Sequence, residues 1–189
     1  MANTCIEQIC PEKGAAIVGF SMGGMVAMEI ARQAPGLIKK LALINSNAHA
    51  DLPGRHQARL KHLEQAKNDG MASMISEHYL DRYLHQDEPK AAQTIIDMAE
   101  KLGPTCFAAQ IEALATRPDA SDLLARIHCQ TLVLGSSHDP LCPVSEQRRM
   151  HQLLRQSTLE IVENCGHFST LEKPAEVNQI LNQWYLYKT

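Results

Sequence analysis

The chain has 189 residues, 44% of them hydrophobic and 21% charged, with 18 Lys+Arg against 21 Asp+Glu and a formal net charge of -3. That size suits one globular domain with room for an inserted unit. The near-neutral balance argues against a binder of nucleic acid or anionic membrane driven by charge, and the apolar fraction argues against a disordered chain. No apolar run approaches the roughly 18–20 residues that span a bilayer. The opening Met1-Ala-Asn-Thr-Cys5 has neither the basic nor the apolar region of a secretory signal, so a cytoplasmic protein is expected. Cys5, Cys10, Cys106, Cys129, Cys142 and Cys165 form no CxxC pair and no Cys/His cluster. Reduced thiols, no metal site and no cofactor are therefore the expectation.

The run 14–20, entered from a Pro/Glu/Lys turn, is short and apolar throughout and reads as a strand buried on both faces. The stretch that follows has helical spacing, with Met25, Met28, Ile30 and Ala31 on one face and Pro35-Gly36 as the stop. A second strand is expected over 38–45. Strand, helix and strand in that order make a βαβ unit and hence a parallel sheet. From Asp51 the strand runs vanish, and the spacing predicts four helical stretches over 55–65, 71–84, 89–102 and 105–115. Five of the nine histidines fall between His49 and His85, which suits a wet helical excursion from the sheet. Strands return over 130–135 and 159–163, with helices over 145–154 and 175–187. The expected architecture is an α/β core, residues 1–51 and 119–189, interrupted by a helical insertion over 52–118.

The strongest chemical signal is Gly19-Phe20-Ser21-Met22-Gly23-Gly24, a G-x-S-x-G match with an apolar strand before it and a helix after it. A sharp strand-to-helix turn forces its central residue into a strained backbone and projects the side chain. Gly19 and Gly23 are expected to remove side chains that would collide there. The helix N-terminus then offers free N–H groups to a developing oxyanion, the Met22 N–H among them. A Gly-rich turn with an incidental serine is the plainer reading of the motif taken alone.

A serine needs a base and an orienting carboxylate. Asp139 lies just past the strand that ends in Gly135, and His167 lies in the loop after the strand over 159–163. Each alone reads as a turn aspartate or a structural histidine. Together Ser21, Asp139 and His167 each follow a different strand, at the sheet edge where open parallel sheets bind ligands. His138, adjacent to Asp139, is poorly placed to serve as the base. Arg55, Arg59 and His62 recur at helical spacing and read as a solvated helix face, with contact to an acidic substrate as the alternative. Met22, Met25 and Met28 read as core filling.

These motifs, with Gly135-Ser-Ser-His-Asp-Pro-Leu-Cys-Pro143 and Cys165-Gly-His-Phe-Ser-Thr-Leu-Glu-Lys-Pro174, resemble the α/β-hydrolase superfamily, and within it the small bacterial esterases, lactonases and carbon–carbon-bond hydrolases with a helical cap. The resemblance runs from about Lys13 to the C-terminus. It implies an α/β-hydrolase core with 52–118 as the cap. Ser21 would be the nucleophile, His167 the base and then the acid, Asp139 the holder of the imidazole and the Met22 N–H an oxyanion donor. The implied partner is a small acyl substrate, with no cofactor.

Members of that superfamily carry several strands before the elbow strand, and the loop that gives a second oxyanion donor. Only some 13 residues precede it here, so the core is expected to be truncated on that side. Loss of one oxyanion donor lowers the rate by about 10²–10³. Two functional readings are therefore carried: a serine hydrolase of a carboxylic ester, lactone or thioester, and a catalytically impaired chain that binds a partner or forms part of a larger protein. The apolar strand Ala15–Phe20, without its usual neighbour, is also expected to offer an edge for a homodimer.

Overall fold

A computed structural model describes residues 1–186. Four parallel strands, β1 (Ala15–Phe20), β2 (Ile38–Ile44), β3 (Gln130–Ser136) and β4 (Ser157–Val162), lie side by side in chain order. Parallel pairing requires crossovers. They are supplied by α2 (Met22–Gln33) between β1 and β2, and by α8 (Val144–Leu153) between β3 and β4. A short helix α1 (Ala2–Ile6) precedes β1 and packs on α2.

Alternation along the strands sorts the core into two layers. Leu41, Leu43 and Val133 face Met28, Ala31 and Met150 on one side. Ala42, Ile44, Leu132 and Leu134 face Val177 and Trp184 of α10 (Pro174–Leu186) on the other. Nearly continuous apolar sequence in β2 and β3 is thus explained by burial on both faces. The same reading fails for β1. On the α10 side Ala16 and Val18 are exposed, Val18 at 50%, because that helix covers the later strands. β1 pairs with β2 alone among the described residues, so its other edge is open.

Every element between β2 and β3 is helical: α3 (Arg55–Asp69), α4 (Met71–His78), α5 (Leu80–Tyr83), α6 (Pro89–Ala115) and α7 (Ser121–Leu124). The predicted stretch over 71–84 breaks at Tyr79, whose φ of -125° and ψ of -35° leave the helical region. The predicted pair over 89–102 and 105–115 forms the two arms of α6, which meet at a non-helical break where the sequence placed one. Gly103 takes φ 72°, ψ 174° before Pro104, whose ring disfavours the α region for the residue it follows. α3, α4 and α6 hold an apolar cluster of their own around Ala66, Met71, Met74, Ile75 and Ile95. Tyr187, the last residue of the predicted C-terminal helix, lies outside the described residues. No helix among the described residues is long and apolar enough to cross a membrane.

Candidate active site

The site is assembled at the C-terminal ends of all four strands. Ser21 directly follows β1 and precedes α2, and it adopts φ 50°, ψ -116°, a conformation that side chains rarely take. The turn closes because strand and helix nearly touch. A Cβ on Gly19 would lie 2.5 Å from the Gly23 carbonyl oxygen, and one on Gly24 would lie 2.5 Å from Ser46 Oγ. Gly23 behaves differently from expectation, since a Cβ there would meet open space. The steric requirement falls on Gly19 and Gly24. Ser46 Oγ also donates to the Ser21 carbonyl at 2.8 Å, fixing the turn from the end of β2.

Asp139 and His167 come from the loops after β3 and β4. His167 Nδ1 is 2.8 Å from Asp139 Oδ2, and His167 Nε2 is 2.8 Å from Ser21 Oγ. Asp139 and His167 are both buried. Burial pushes the Asp139 carboxyl up, but the bond and charge of His167, the Asn45 amide and the Cys142 N–H together hold it below the ordinary carboxylate value. An ionised Asp139 can only accept, so His167 Nδ1 donates to it and Nε2 is left to accept from the Ser21 hydroxyl. The three residues singled out from sequence are thereby joined in one hydrogen-bonded line. Met22, the first residue of α2, carries one of the N–H groups that a helix N-terminus leaves without an internal partner.

Sequence reasoning missed the residues that hold this line in place. Asn45 sits immediately after β2 with φ 45°. Its Nδ2 donates to Asp139 Oδ2 and to Ser136 Oγ, both at 3.0 Å, while its Oδ1 accepts from Ser169 Oγ at 2.6 Å. The usable signal was positional: a polar Asn45-Ser46-Asn47 run at the carboxyl end of a central strand, where ligands gather in such sheets. Asp139 Oδ1 is occupied as well, by the N–H groups of Leu141 and Cys142 at 2.8 and 3.0 Å. The loop of His167 is clamped to the helical insertion: Glu172 accepts from the N–H of Gly166 and of His85, both at 2.8 Å, and Phe168 N–H donates to the Tyr83 carbonyl at 3.0 Å. The Tyr83 ring stacks on the His167 imidazole at a centroid distance of 5.8 Å. His138 stands apart, exposed and stacked on His85 at 3.7 Å.

Asp139, Cys142 and His167 offer ligand atoms within 4.8 Å of one another. Their chemistry fits hydrogen bonding better than a cation. Burial first, then the Asp139 charge, pushes the Cys142 thiol up to about 12, and His167 Nδ1 faces the carboxylate rather than open space.

Ser21, Met22 and His167 open into a cavity of about 490 Å³. Its walls come from the sheet rim (Phe20, Leu141, Phe168) and from the insertion (Tyr79, Tyr83, Phe107). Arg55, Arg59 and His62 line it too, contrary to the expected solvated face. Of the three methionines, Met28 is buried in the core while Met22 and Met25 border this cavity. A neighbouring cavity of about 590 Å³, bordered by α1 and α2, contains neither Ser21 nor His167.

A sequence model of the Alpha/beta hydrolase family matches residues 4–180, so the chain belongs to that family, and the parallel sheet with its crossover helices is the α/β-hydrolase fold. Among curated proteins it is 26% identical over 165 residues to "3-oxoadipate enol-lactonase 1" of Acinetobacter baylyi, covering 87% of this chain and 61% of that protein. It is 24% identical over 171 residues to "(E)-2-((N-methylformamido)methylene)succinate hydrolase" of the same organism, covering 89% and 64%. Among solved structures, a thermophilic esterase from Thermogutta terrifontis superimposes with a TM-score of 0.85 at 29% identity, over 92% of this chain and 65% of that one. The chain thus spans a little over three fifths of the length of the relatives it matches.

Proposed function

We propose that the chain is a serine hydrolase acting on a small carboxylic ester, lactone or thioester through an acyl-enzyme. The observation that carries this reading is the unbroken line from Ser21 Oγ through His167 to Asp139, each link 2.8 Å, ending on a serine held in a strained turn at a helix N-terminus. The named relatives are a lactonase, a hydrolase and an esterase, which supports the same class.

In this reading His167 Nε2 takes the Ser21 proton as Oγ adds to the carbonyl carbon. The carbonyl oxygen gains negative charge, which the Met22 N–H and the positive end of α2 stabilise. Asp139 stays ionised and stabilises the imidazolium that forms. The imidazolium then gives its proton to the departing oxygen or sulfur, leaving an ester on Ser21. Water, deprotonated by His167, adds to that ester and regenerates the hydroxyl. Residues 52–118 act as a cap over the core formed by 1–51 and 119–189, supplying the aromatic wall that excludes water. No step needs a metal or an organic cofactor. The homodimer expected through Ala15–Phe20 is left out of this reading, because an open edge alone does not say what covers it.

A fluorophosphonate probe tests the nucleophile. Wild-type chain is expected to label at Ser21, and Ser21→Ala to stay unlabelled. Equal labelling of the two removes Ser21 from the role.

A further inference from the structure

Four arginines, Arg55, Arg59, Arg82 and Arg117, line the cavity that contains Ser21, and among the described residues no aspartate or glutamate lines it. That is a local concentration of positive charge in a protein whose formal net charge is -3. The four are not equivalent. Arg59 is bonded through both terminal nitrogens to Asp51, at 2.6 and 3.0 Å, behind the cavity wall. Arg117 shares that carboxylate at 3.4 Å and donates to the carbonyls of His49 and Leu114 at 3.1 and 3.0 Å. One carboxylate therefore serves two cations, and the donors of Arg59 and Arg117 are largely committed to holding the wall together.

Arg55 is different. Among the described residues its side chain makes no hydrogen bond and no ion pair, although it is half-buried on the first turn of α3. Its charge is felt by Asp51, by Arg117 and by Cys142, and it lines the cavity together with Arg117 and Cys142. Arg82 is likewise without a side-chain partner among the described residues, but it is exposed. Burial, then the charges of His78 and Arg82, disfavour the cationic form of His62. An unpaired, partly desolvated guanidinium is an unfavourable arrangement unless something anionic completes it. A planar fork of donors is matched by a carboxylate.

We propose that this cavity selects acyl substrates bearing a second, free carboxylate, and that Arg55 receives that group, with Arg82 adding charge at the mouth. The inference rests on the hydrolase reading for the ester end of the substrate, and names what the other end must carry. The aromatic side chains that line the same cavity, Tyr79, Tyr83 and Phe107, offer apolar surface to the spacer.

Binding to the Ser21→Ala chain separates the anion site from the chemistry. The probes are mono-4-nitrophenyl glutarate, which is anionic, and its methyl-capped neutral diester, compared by isothermal titration calorimetry. The monoester is expected to bind about tenfold or more tighter, as a charge-assisted bond implies, with the advantage shrinking as salt is raised. Adding Arg55→Gln should collapse the ratio towards one, and Arg55→Lys should restore part of it, which a mere loss of packing would not do. Binding of the monoester no tighter than the diester, including no measurable binding of either, overturns the proposal. Selective, Arg55-dependent binding without turnover by the wild-type chain keeps the anion site and removes the hydrolase. Turnover of both esters with equal kcat/KM, and equal binding, does the reverse.

Discussion

The rim of the sheet and the arginine wall of the insertion face the same cavity and are built on opposite principles. At the rim the polar side chains satisfy one another: Asn45 binds Asp139, Ser136 and Ser169, Asp139 binds His167, and His167 reaches Ser21. Across the cavity, Asp51 supplies one carboxylate to Arg59 and Arg117, while Arg55 has no side-chain bond or ion pair among the described residues. A closed network fixes geometry before substrate arrives, which suits chemistry. An open excess of one charge waits for a complement, which suits selection.

Breaking the rim should give the largest effect. Ser21→Ala and His167→Ala should each lower kcat on a 4-nitrophenyl ester by about 10⁴–10⁶-fold, and the double variant should lose little more, because the pair acts as a unit. Additive losses in that cycle would mean the two side chains work separately. Breaking the wall should instead cost stability. Asp51→Asn leaves two guanidiniums without their carboxylate, at side-chain exposures of 15% and 10%, and should lower the unfolding free energy by about 3 kcal/mol in urea titrations. A change near zero would show that the wall is not held by that ion pair.

Asn45→Ala sharpens the contrast from the rim side. It removes two donors and an acceptor from buried partners, with an expected loss of about 1–3 kcal/mol and a fall in kcat larger than any change in KM. Unchanged kcat would make Asn45 a packing residue only.

Acid should reach both regions through their carboxylates. Asp139 and Asp51 each have a folded-state pKa held below the ordinary value: burial opposes, and is outweighed by His167, Asn45 and the Cys142 N–H together for the first and by Arg59, Arg117 and Arg55 together for the second. A depressed carboxylate contributes stability that is complete above its unfolded pKa of about 3.9 and is lost as pH falls through the folded value. Wild-type stability should therefore decline below about pH 4, and Asp139→Asn and Asp51→Asn should each flatten part of that decline. Identical acid profiles in all three chains would contradict the assignment.

The smallest effect concerns thiols. Cys5 and Cys10 are exposed and should react quickly with a maleimide at pH 7. Cys142 and Cys165, whose thiols burial pushes up to about 12 and about 11, should react only on unfolding. Rapid loss of five or more of the six thiols in the native state would show that the rim opens, since only four lie outside it.

Legibility in the sequence followed how local each signal was. The turn at Ser21 is written in contiguous residues, because strand, tight turn and helix leave their pattern within a dozen positions, and the βαβ order followed from it. Asp139 and His167 were found by their places after successive strands. Asn45 was not, since an asparagine after a strand has many ordinary explanations and its partners lie 91, 94 and 124 residues away. The steric role expected of Gly23 belongs to Gly24, because the close approach is to Ser46 in the loop after β2. Helix periodicity located Arg55, Arg59 and His62 on one face but could not say what that face looks onto.

By itself, then, the order of residues determined the parallel sheet, the strained serine turn and the identity of a possible base and carboxylate. All three depend on near-neighbour sterics and on alternation along single elements. Tertiary structure alone decided that the three side chains meet, that Asn45 locks them, that β1 has an exposed face and that an arginine with no side-chain partner among the described residues lines the same cavity as the serine. Those outcomes depend on distances between elements far apart in the chain, which only packing sets.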